Sequence, residues 1–560
     1  MPRCCHLTRR EILQWGAVVA ASPLLSALGD VERAYGLTRA VAGNPALPMH
    51  LELVTLTETS AIVTWFTGDP TRVDEVGRPV PMPADSEVLL GTSPTNLRQV
   101  FHDARPTPYH YAELNDLEPG QRYFYVARSG GVPATAAIST FGNPAGTSTV
   151  DASPSGPFVF VAPQPPPGDF LFATALCNDL HLGETVAGLA ATLGDVQVPP
   201  GITQIAGEPP YAQVMAAALG TESRARGANV LLANGDISSE GGQTDVQTSK
   251  AYLDAFGPYL DTYLVSRGNH DRPHTGDASA ACSPAPAAPD HHDCFGDAFF
   301  SGASTWFAKD AFGLRIIGLD TYDKIGNGGD NGVMSDEQFA FVRDELARDT
   351  DQPTLVFGHH PVTLEASITT VRPLIFDLDP QQAVQLEALY ADSPGVFLQH
   401  SGHTHRNKLT RSPSASNVAF QEVGAVKEYP GGFTLLRVHT GGYATNFYKF
   451  RDPLAQEWSE RSRPEYGGLA PFYVFGDIVD RNSVAARDFS DLRSAASSSG
   501  APIQDVPQAG SAGKAELAPT GGDDRTTLLV AGAATAAALS AEAYLRRAGR
   551  GEGARGEAPD

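Results

Sequence analysis

Five short clusters of Asp, Asn and His in the middle of the chain carry the side-chain types that a pair of metal ions would need. They are Asp179-Leu180-His181, Asn234-Gly235-Asp236, Gly268-Asn269-His270-Asp271, Gly358-His359-His360-Pro361 and Gly402-His403-Thr404-His405, and each follows a short apolar run. Carboxylate, amide oxygen and imidazole make the mixed N/O donor set that first-row dications accept. A carboxylate can bridge two ions about 3.5–4 Å apart, and such a pair lowers the pKa of bound water to about 7 and neutralises charge on a phosphoryl group. Any one cluster alone could be a surface turn; the information lies in five sharing one kind of placement.

The runs that must position them are Phe170 to Cys177, Val230 to Ala233, Tyr263 to Val265, Thr354 to Phe357 and Val396 to Leu398. Their lengths and apolar character read as buried strands. In a layered α/β fold the loops after strand ends converge, so residues far apart in the chain would meet. Ser335-Asp336-Glu337-Gln338 opens a helix with a capping-box pattern, and Phe339, Val342 and Leu346 form its apolar face. About fifty residues part the first two clusters and nearly ninety the third and fourth. The second insert contains Cys282, Cys294, His291 and His292. The two histidines could be a further metal site or belong to a solvated loop. Long loops near strand ends shape substrate entry, so no substrate is named.

In this order the clusters resemble the calcineurin-like metallophosphoesterase superfamily, over roughly 170–440. The resemblance implies a four-layer α/β/β/α catalytic domain at 169–450 and two divalent or trivalent metal ions (Mn, Fe or Zn). Asp179, His181 and His405 would hold one ion, Asn269, His359 and His403 the other, and Asp236 would bridge them. In-line attack of a metal-bridging hydroxide is implied, with His270 protonating the leaving oxygen or contacting the phosphate and Asp271 grouped with it as catalytic. Relatives use the first His of a pair such as His359-His360. Purple acid phosphatases carry Gly-Asp-x-x-Tyr, where this chain has Ser239, and Asp-x-Gly where it has Asp179-Leu180-His181. The site thus resembles the non-purple, phosphodiesterase-like branch, without a Tyr ligand. The expected activity is hydrolysis of phosphomonoesters or phosphodiesters. The alternatives are a pyrophosphatase acting on nucleotide-sugar or lipid-linked diphosphates, and a catalytically silent wall-displayed binding protein.

The chain of 560 residues is too long for one core and is expected to be multidomain. Residues 46–143 show short alternating runs with turn signals between them, as in an all-β sandwich. Ala61 to Phe66, Ser86 to Leu90, and Leu117-Glu118-Pro119-Gly120 before Arg122-Tyr123-Phe124-Tyr125-Val126 resemble a fibronectin type III-like module. Such a module precedes the catalytic domain in plant-type purple acid phosphatases. Trp65 and Tyr125 are expected in its core. A Pro/Gly/Ser stretch at 144–168 reads as a linker, 451–492 as a C-terminal extension in which Gly476-Asp477 is structural, and 493–516 as a Ser/Ala/Gly linker.

The net charge of -24 argues against nucleic acid and anionic lipid as partners. Thr8-Arg9-Arg10 before a modest apolar run resembles a twin-arginine signal peptide, assigned to 1–36. Leu517-Ala518-Pro519-Thr520-Gly521, a nearly uncharged stretch from Thr526 to Leu545, and Arg546, Arg547 and Arg550 resemble a sortase sorting signal at 517–550. The resemblance implies cleavage after Thr520 and attachment to the cell wall, with Ala518 where most such signals have Pro. The partners expected are a small phosphorylated substrate, the twin-arginine export machinery, sortase and the cell wall. The expected location is exported, cell wall-attached or membrane-anchored on the extracellular side. Cys4 and Cys5 fall in the leader and Cys177 reads as a small buried residue. Cys282 and Cys294 either pair, worth on the order of 3 kcal/mol, or remain two thiols.

Overall fold

The computed structural model describes residues 46–136, 156–188, 191–193, 196–198, 201–272, 282, 293–300, 304–322, 330–370, 377–465 and 470–495. The expected leader with Cys4 and Cys5, His291 and His292, the 496–516 part of the expected Ser/Ala/Gly linker, and the sorting signal lie outside them. Among the described residues no helix is long and apolar enough to cross a membrane. The described residues within 46–188 and 201–495 fall in one compact unit. Between the first two clusters, Ala191–Leu193 and Val196–Val198 pair as an antiparallel hairpin.

The first strands build two antiparallel sheets. Leu47–Leu56, Ala61–Val73, Pro79–Pro81 and Tyr109–Leu114 form one; Ala84–Ser93, Asn96–Thr107, Arg122–Ser129, Val132–Pro133 and Phe158–Val161 form the other. Leu51, Val63, Trp65, Val88 and Tyr125 are buried together between them. The segment expected as a linker is therefore strand in part, because Phe158–Val161 pairs with Arg122–Tyr125 and adds Phe160 to that core. The outer side of the first sheet is not solvated: Val54 and Ile62 join the core of the following sheets.

Two six-stranded mixed sheets follow. The first runs Tyr263–Ser266, Val230–Asn234, Phe170–Cys177, Gly432–His439, Gly442–Lys449, Asn482–Ala486, with its first three strands parallel. The second runs Phe307–Ala311, Leu314–Gly318, Thr354–Phe357, Val396–Ser401, Ala419–Glu422, Lys408–Thr410, parallel through its four middle strands. Alternation decides the layering. Ile316, Leu355, Phe357 and Phe397 point into a core shared with the first sheet, where Phe397 packs on Tyr443 at 5.1 Å between ring centres. Their neighbours Ile317, Val356 and Val396 face outward and are covered by Val342 and Leu346 of helix Asp336–Ala347 and by Leu386 and Tyr390 of helix Pro380–Ala391. Helix Tyr211–Ala225 covers the first sheet with Met215 and Leu219. With apolar residues needed on both faces, the strands read as continuous hydrophobic runs.

Between Val418 and Val438 the chain contributes to both sheets: Ala419–Glu422 enters the second and the start of Gly432–His439 the first. The C-terminal extension is integral, since Asn482–Ala486 forms the edge of the first sheet and helix Pro453–Ser462 lies against helix Tyr211–Ala225, with Tyr211 stacked on Trp458 at 3.9 Å. Asp477 caps the short helix Ile478–Arg481. Ser335 caps helix Asp336–Ala347 by accepting from Gln338 N, while the Gln338 amide bonds the Asp320 backbone. Cys282 and Cys294 form a disulfide, and Cys177 is buried.

Candidate metal centre

All five clusters sit just beyond the C-terminal ends of parallel strands, three from the first sheet and two from the second. Backbone and amide bonds sew the two groups together. The Asn234 amide donates to the carbonyls of Gly358 and His400 across the gap between sheets, at 3.2 and 2.9 Å. His403 N donates to Asp179 Oδ2 at 3.1 Å, and His270 N to Asp236 Oδ1 at 2.8 Å. The glycines permit this closeness. A Cβ on Gly268 would lie 2.2 Å from Asp236 Oδ1, and one on Gly235, whose φ is +75°, would lie 2.5 Å from His359 Nδ1.

Asp179, His181, Asp236, His403 and His405 all have φ between 45° and 67°. Side chains other than Gly enter this left-handed region at a cost of about 1–3 kcal/mol each, and such residues collect at functional sites. The turns aim the side chains inward. Donor atoms of Asp179, His181 and His405 come within 4.8 Å of one another, and so do those of Asp236, His359 and His403. Asp236 Oδ2 lies 3.1 Å from His359 Nε2 and 3.5 Å from His181 Nε2, so this one carboxylate touches both groups. Asp179 Oδ1 lies 3.1 Å from His405 Nε2. Asn269 is held between Gly268 and His270, both in contact with Asp236.

The donor set fits metal ions. Asp179 Oδ1, His181 Nε2, Asn269 Oδ1 and His359 Nε2 are buried without a hydrogen-bond partner. Each such atom costs about 1–3 kcal/mol, and four in one cluster mark a place where cations would complete the structure. His359 Nδ1 donates to Asn234 O at 2.9 Å and His405 Nδ1 to Glu428 Oε1 at 2.6 Å, so in the neutral ring each Nε2 is the acceptor. His360 differs: its Nδ1 meets Thr321 Oγ1 at 2.8 Å and its Nε2 meets Asp330 O at 2.9 Å, so both ring nitrogens are used in holding loops.

The electrostatics are those of a site built around positive charge. Burial would raise the carboxyls of Asp179 and Asp236, yet both stay well below the usual range. His405 and His359 act on the first, His359 and His270 on the second. Burial would discharge His359 and His405, but facing carboxylates outweigh it and lift them to about 9 and about 10. Burial, with His360 and His359 nearby, pushes His403 well below its usual value and keeps it neutral. Dications placed here would stabilise the carboxylates and keep every imidazole neutral.

His270 stands at the rim with its side chain 31% exposed, Nδ1 2.7 Å from Ser239 O and its ring 4.5 Å from that of His181. Burial opposes its charge, but Asp236 and Glu240 raise it to about 10. It too comes within 4.8 Å of His181 and Asp236. Asp271 departs from the expectation of a catalytic role. Its two oxygens accept from the N–H groups of Ile237, Ser238 and Gly268 and from Ser238 Oγ, so it ties the Asp236 loop to the Asn269 turn. Burial beside Asp236 raises it to about 6.

Sequence reasoning missed the residues behind the donors. Glu184 lies 3.0 Å from His181 Nδ1, Glu428 bonds His405, and Lys427 joins both glutamates. The only hint was a Lys-Glu pair after an apolar run.

No family model matches the sequence, and no curated protein matches it. Solved structures do. Purple acid phosphatase PPD1 from yellow lupin seeds is 14% identical, with a TM-score of 0.37, covering 83% of this chain and 79% of its own. A dimetal phosphatase from Danio rerio is 15% identical at TM-score 0.37, covering 50% and 96%. The structure of PhoD is 9% identical at TM-score 0.33, covering 78% and 88%. At these scores the likenesses decide nothing, and the donor geometry carries the functional reading.

Proposed function

We propose that this chain is a metal-dependent phosphoric ester hydrolase with a dinuclear centre. The observation that carries the reading is Asp236, one buried carboxylate between two groups of inward-facing donors. Asp179, His181 and His405 would hold one ion, Asn269, His359 and His403 the other, and Asp236 would be shared by both. When bound, two such ions activate water near neutral pH and neutralise the phosphoryl oxygens. The chain's own residues do the rest. Asn234 O and Glu428 fix the rings of His359 and His405 with Nε2 inward. Asp271 fixes the loop that carries Asp236. His270 at the rim, its Nδ1 held by Ser239 O, gives a proton to the departing alkoxide through its other nitrogen. The substrate is a phosphomonoester or a phosphodiester.

The purified protein is tested on a chromogenic monoester and a chromogenic diester, before and after chelation and after return of Mn²⁺, Fe²⁺ or Zn²⁺. Turnover of at least one ester, lost on chelation and restored by metal, is expected. Metal-independent turnover, or none with metal restored, contradicts the reading. We also propose export by the twin-arginine route and wall attachment through Thr520. The support is Thr8-Arg9-Arg10 and the Leu517–Gly521 pentapeptide with its basic tail. Mass spectrometry of wall digests should find peptides ending at Thr520; recovery of intact chain from the cytoplasm alone would refute this.

A further inference from the structure

The two sets of donors are backed differently. The ring of His359 rests on a neutral carbonyl, Asn234 O. The ring of His405 is hydrogen-bonded to a carboxylate, Glu428 Oε1 at 2.6 Å, and a second carboxylate, Glu184 Oε2, lies 3.0 Å from His181 Nδ1 as an ion-pair contact. Lys427 spans the two acids, with Nζ 2.6 Å from Glu184 Oε2 and 3.4 Å from Glu428 Oε2. Tyr211 OH donates to Glu184 Oε1 at 2.6 Å. Lys427, Glu428 and Tyr211 are buried, Glu184 is half-buried, and the assembly is anchored: Lys427 N donates to Asp179 O at 3.1 Å, and Trp458 Nε1 to Lys427 O at 2.6 Å. Glu184 arrives from the loop after the first cluster, Lys427 and Glu428 from the loop after Ala419–Glu422, and Tyr211 from a helix start. Four groups from three parts of the chain meet behind two imidazoles.

We propose that Glu184, Lys427 and Glu428 form a clamp that orients His181 and His405 toward the same ion, making them positioning residues for one half of the centre. The inference rests on the dinuclear reading above. A carboxylate behind a ligating imidazole fixes its tautomer and raises its basicity. Two carboxylates left alone behind one ion would repel each other, and Lys427 offsets this. An acid-for-amide change in the clamp therefore acts on one ion only, while the half held by Asn269, His359 and His403 is untouched.

The test is titration of the metal-free full chain with Mn²⁺ by calorimetry, comparing wild type with Glu428→Gln, Glu184→Gln and Lys427→Met. Wild type should bind two equivalents. In Glu428→Gln one equivalent should weaken about 10–100-fold, the usual cost of losing such a partner, with the other within about threefold of wild type. Nitrogen-15 spectra of the histidine rings should show the His405 tautomer disturbed and that of His359 unchanged. If a charge variant fails to fold by circular dichroism, Tyr211→Phe removes one bond to Glu184 and should weaken the same equivalent a few-fold. Two wild-type equivalents that both weaken alike, or neither weakening in folded variants, overturn the clamp and leave the dinuclear centre standing. Failure of wild type to bind any of Mn²⁺, Fe²⁺ and Zn²⁺ in the same titration overturns both.

Discussion

Two of the places where this molecule buries acidic side chains treat them in opposite ways. Where the sandwich meets the first central sheet, Glu52 accepts from Tyr429 OH and Arg463 Nη1 at 2.5 Å each and from Lys449 Nζ at 3.0 Å. Both oxygens are satisfied by donors from 377 to 411 residues away. Asp179 and Asp236 each have one oxygen that accepts from a backbone N–H, that of His403 or His270, while the other oxygen faces imidazole Nε2 atoms, and Asn269 Oδ1 is buried without a partner. The first arrangement is complete and stabilises the packing of the sandwich on the sheet. The second is incomplete in protein atoms alone, and strained backbone at five of its residues keeps it so. Burial and charge are the same in both; only the balance of donors to acceptors separates structure from a ligand site.

Asp236→Asn should break the contrast at its functional end. Turnover should fall on the order of 10³-fold or more, because one change weakens both halves of the centre. Thermal stability of the metal-free protein should hold or rise, since a crowded buried charge is removed. Steady-state kinetics and a melting curve on one preparation would check this. Glu52→Gln should do the reverse, destabilising by about 3 kcal/mol because Arg463 and Lys449 lose their counter-charge, while kcat stays near wild type. The pH dependence sharpens it. Burial would raise the Glu52 carboxyl, but Lys449 and Arg463 hold it below its unfolded value. Its contribution is therefore present above about pH 4.3 and lost as pH falls toward the depressed folded value. Denaturant melts of wild type and Glu52→Gln should converge as the solution is acidified. His360→Ala sets the lower end. Two loop contacts go, stability drops by about 1–2 kcal/mol, and both metal equivalents remain. His359→Ala beside it should lose one equivalent.

Much of the site was legible because its chemistry is local. Each cluster is a strand end followed by a glycine-containing turn, and strand, turn and donor type are written in four to six consecutive residues. Asp179, His181, Asp236, His359, His403 and His405 were all singled out in this way and share one pocket. Asp271 was placed by proximity to His270, and only its backbone partners showed that it braces a loop. Glu184, Lys427 and Tyr211 escaped because their meaning depends on what they meet, across 27 to 243 residues. The fold shows the same division. Apolar runs announced the strands, but nothing local told Ala419–Glu422 and Gly432–His439 apart, nor announced that Asn482–Ala486 would close a sheet edge. Sheet membership is a property of partners, which a short run does not contain.

The most direct measurement is anomalous diffraction from crystals of the full chain grown with Mn²⁺. Two peaks about 3.5–4 Å apart on either side of the Asp236 carboxylate are expected, one near Asp179, His181 and His405 and the other near Asn269, His359 and His403. A map with no peak among these residues, or with peaks only elsewhere on the chain, would contradict the account.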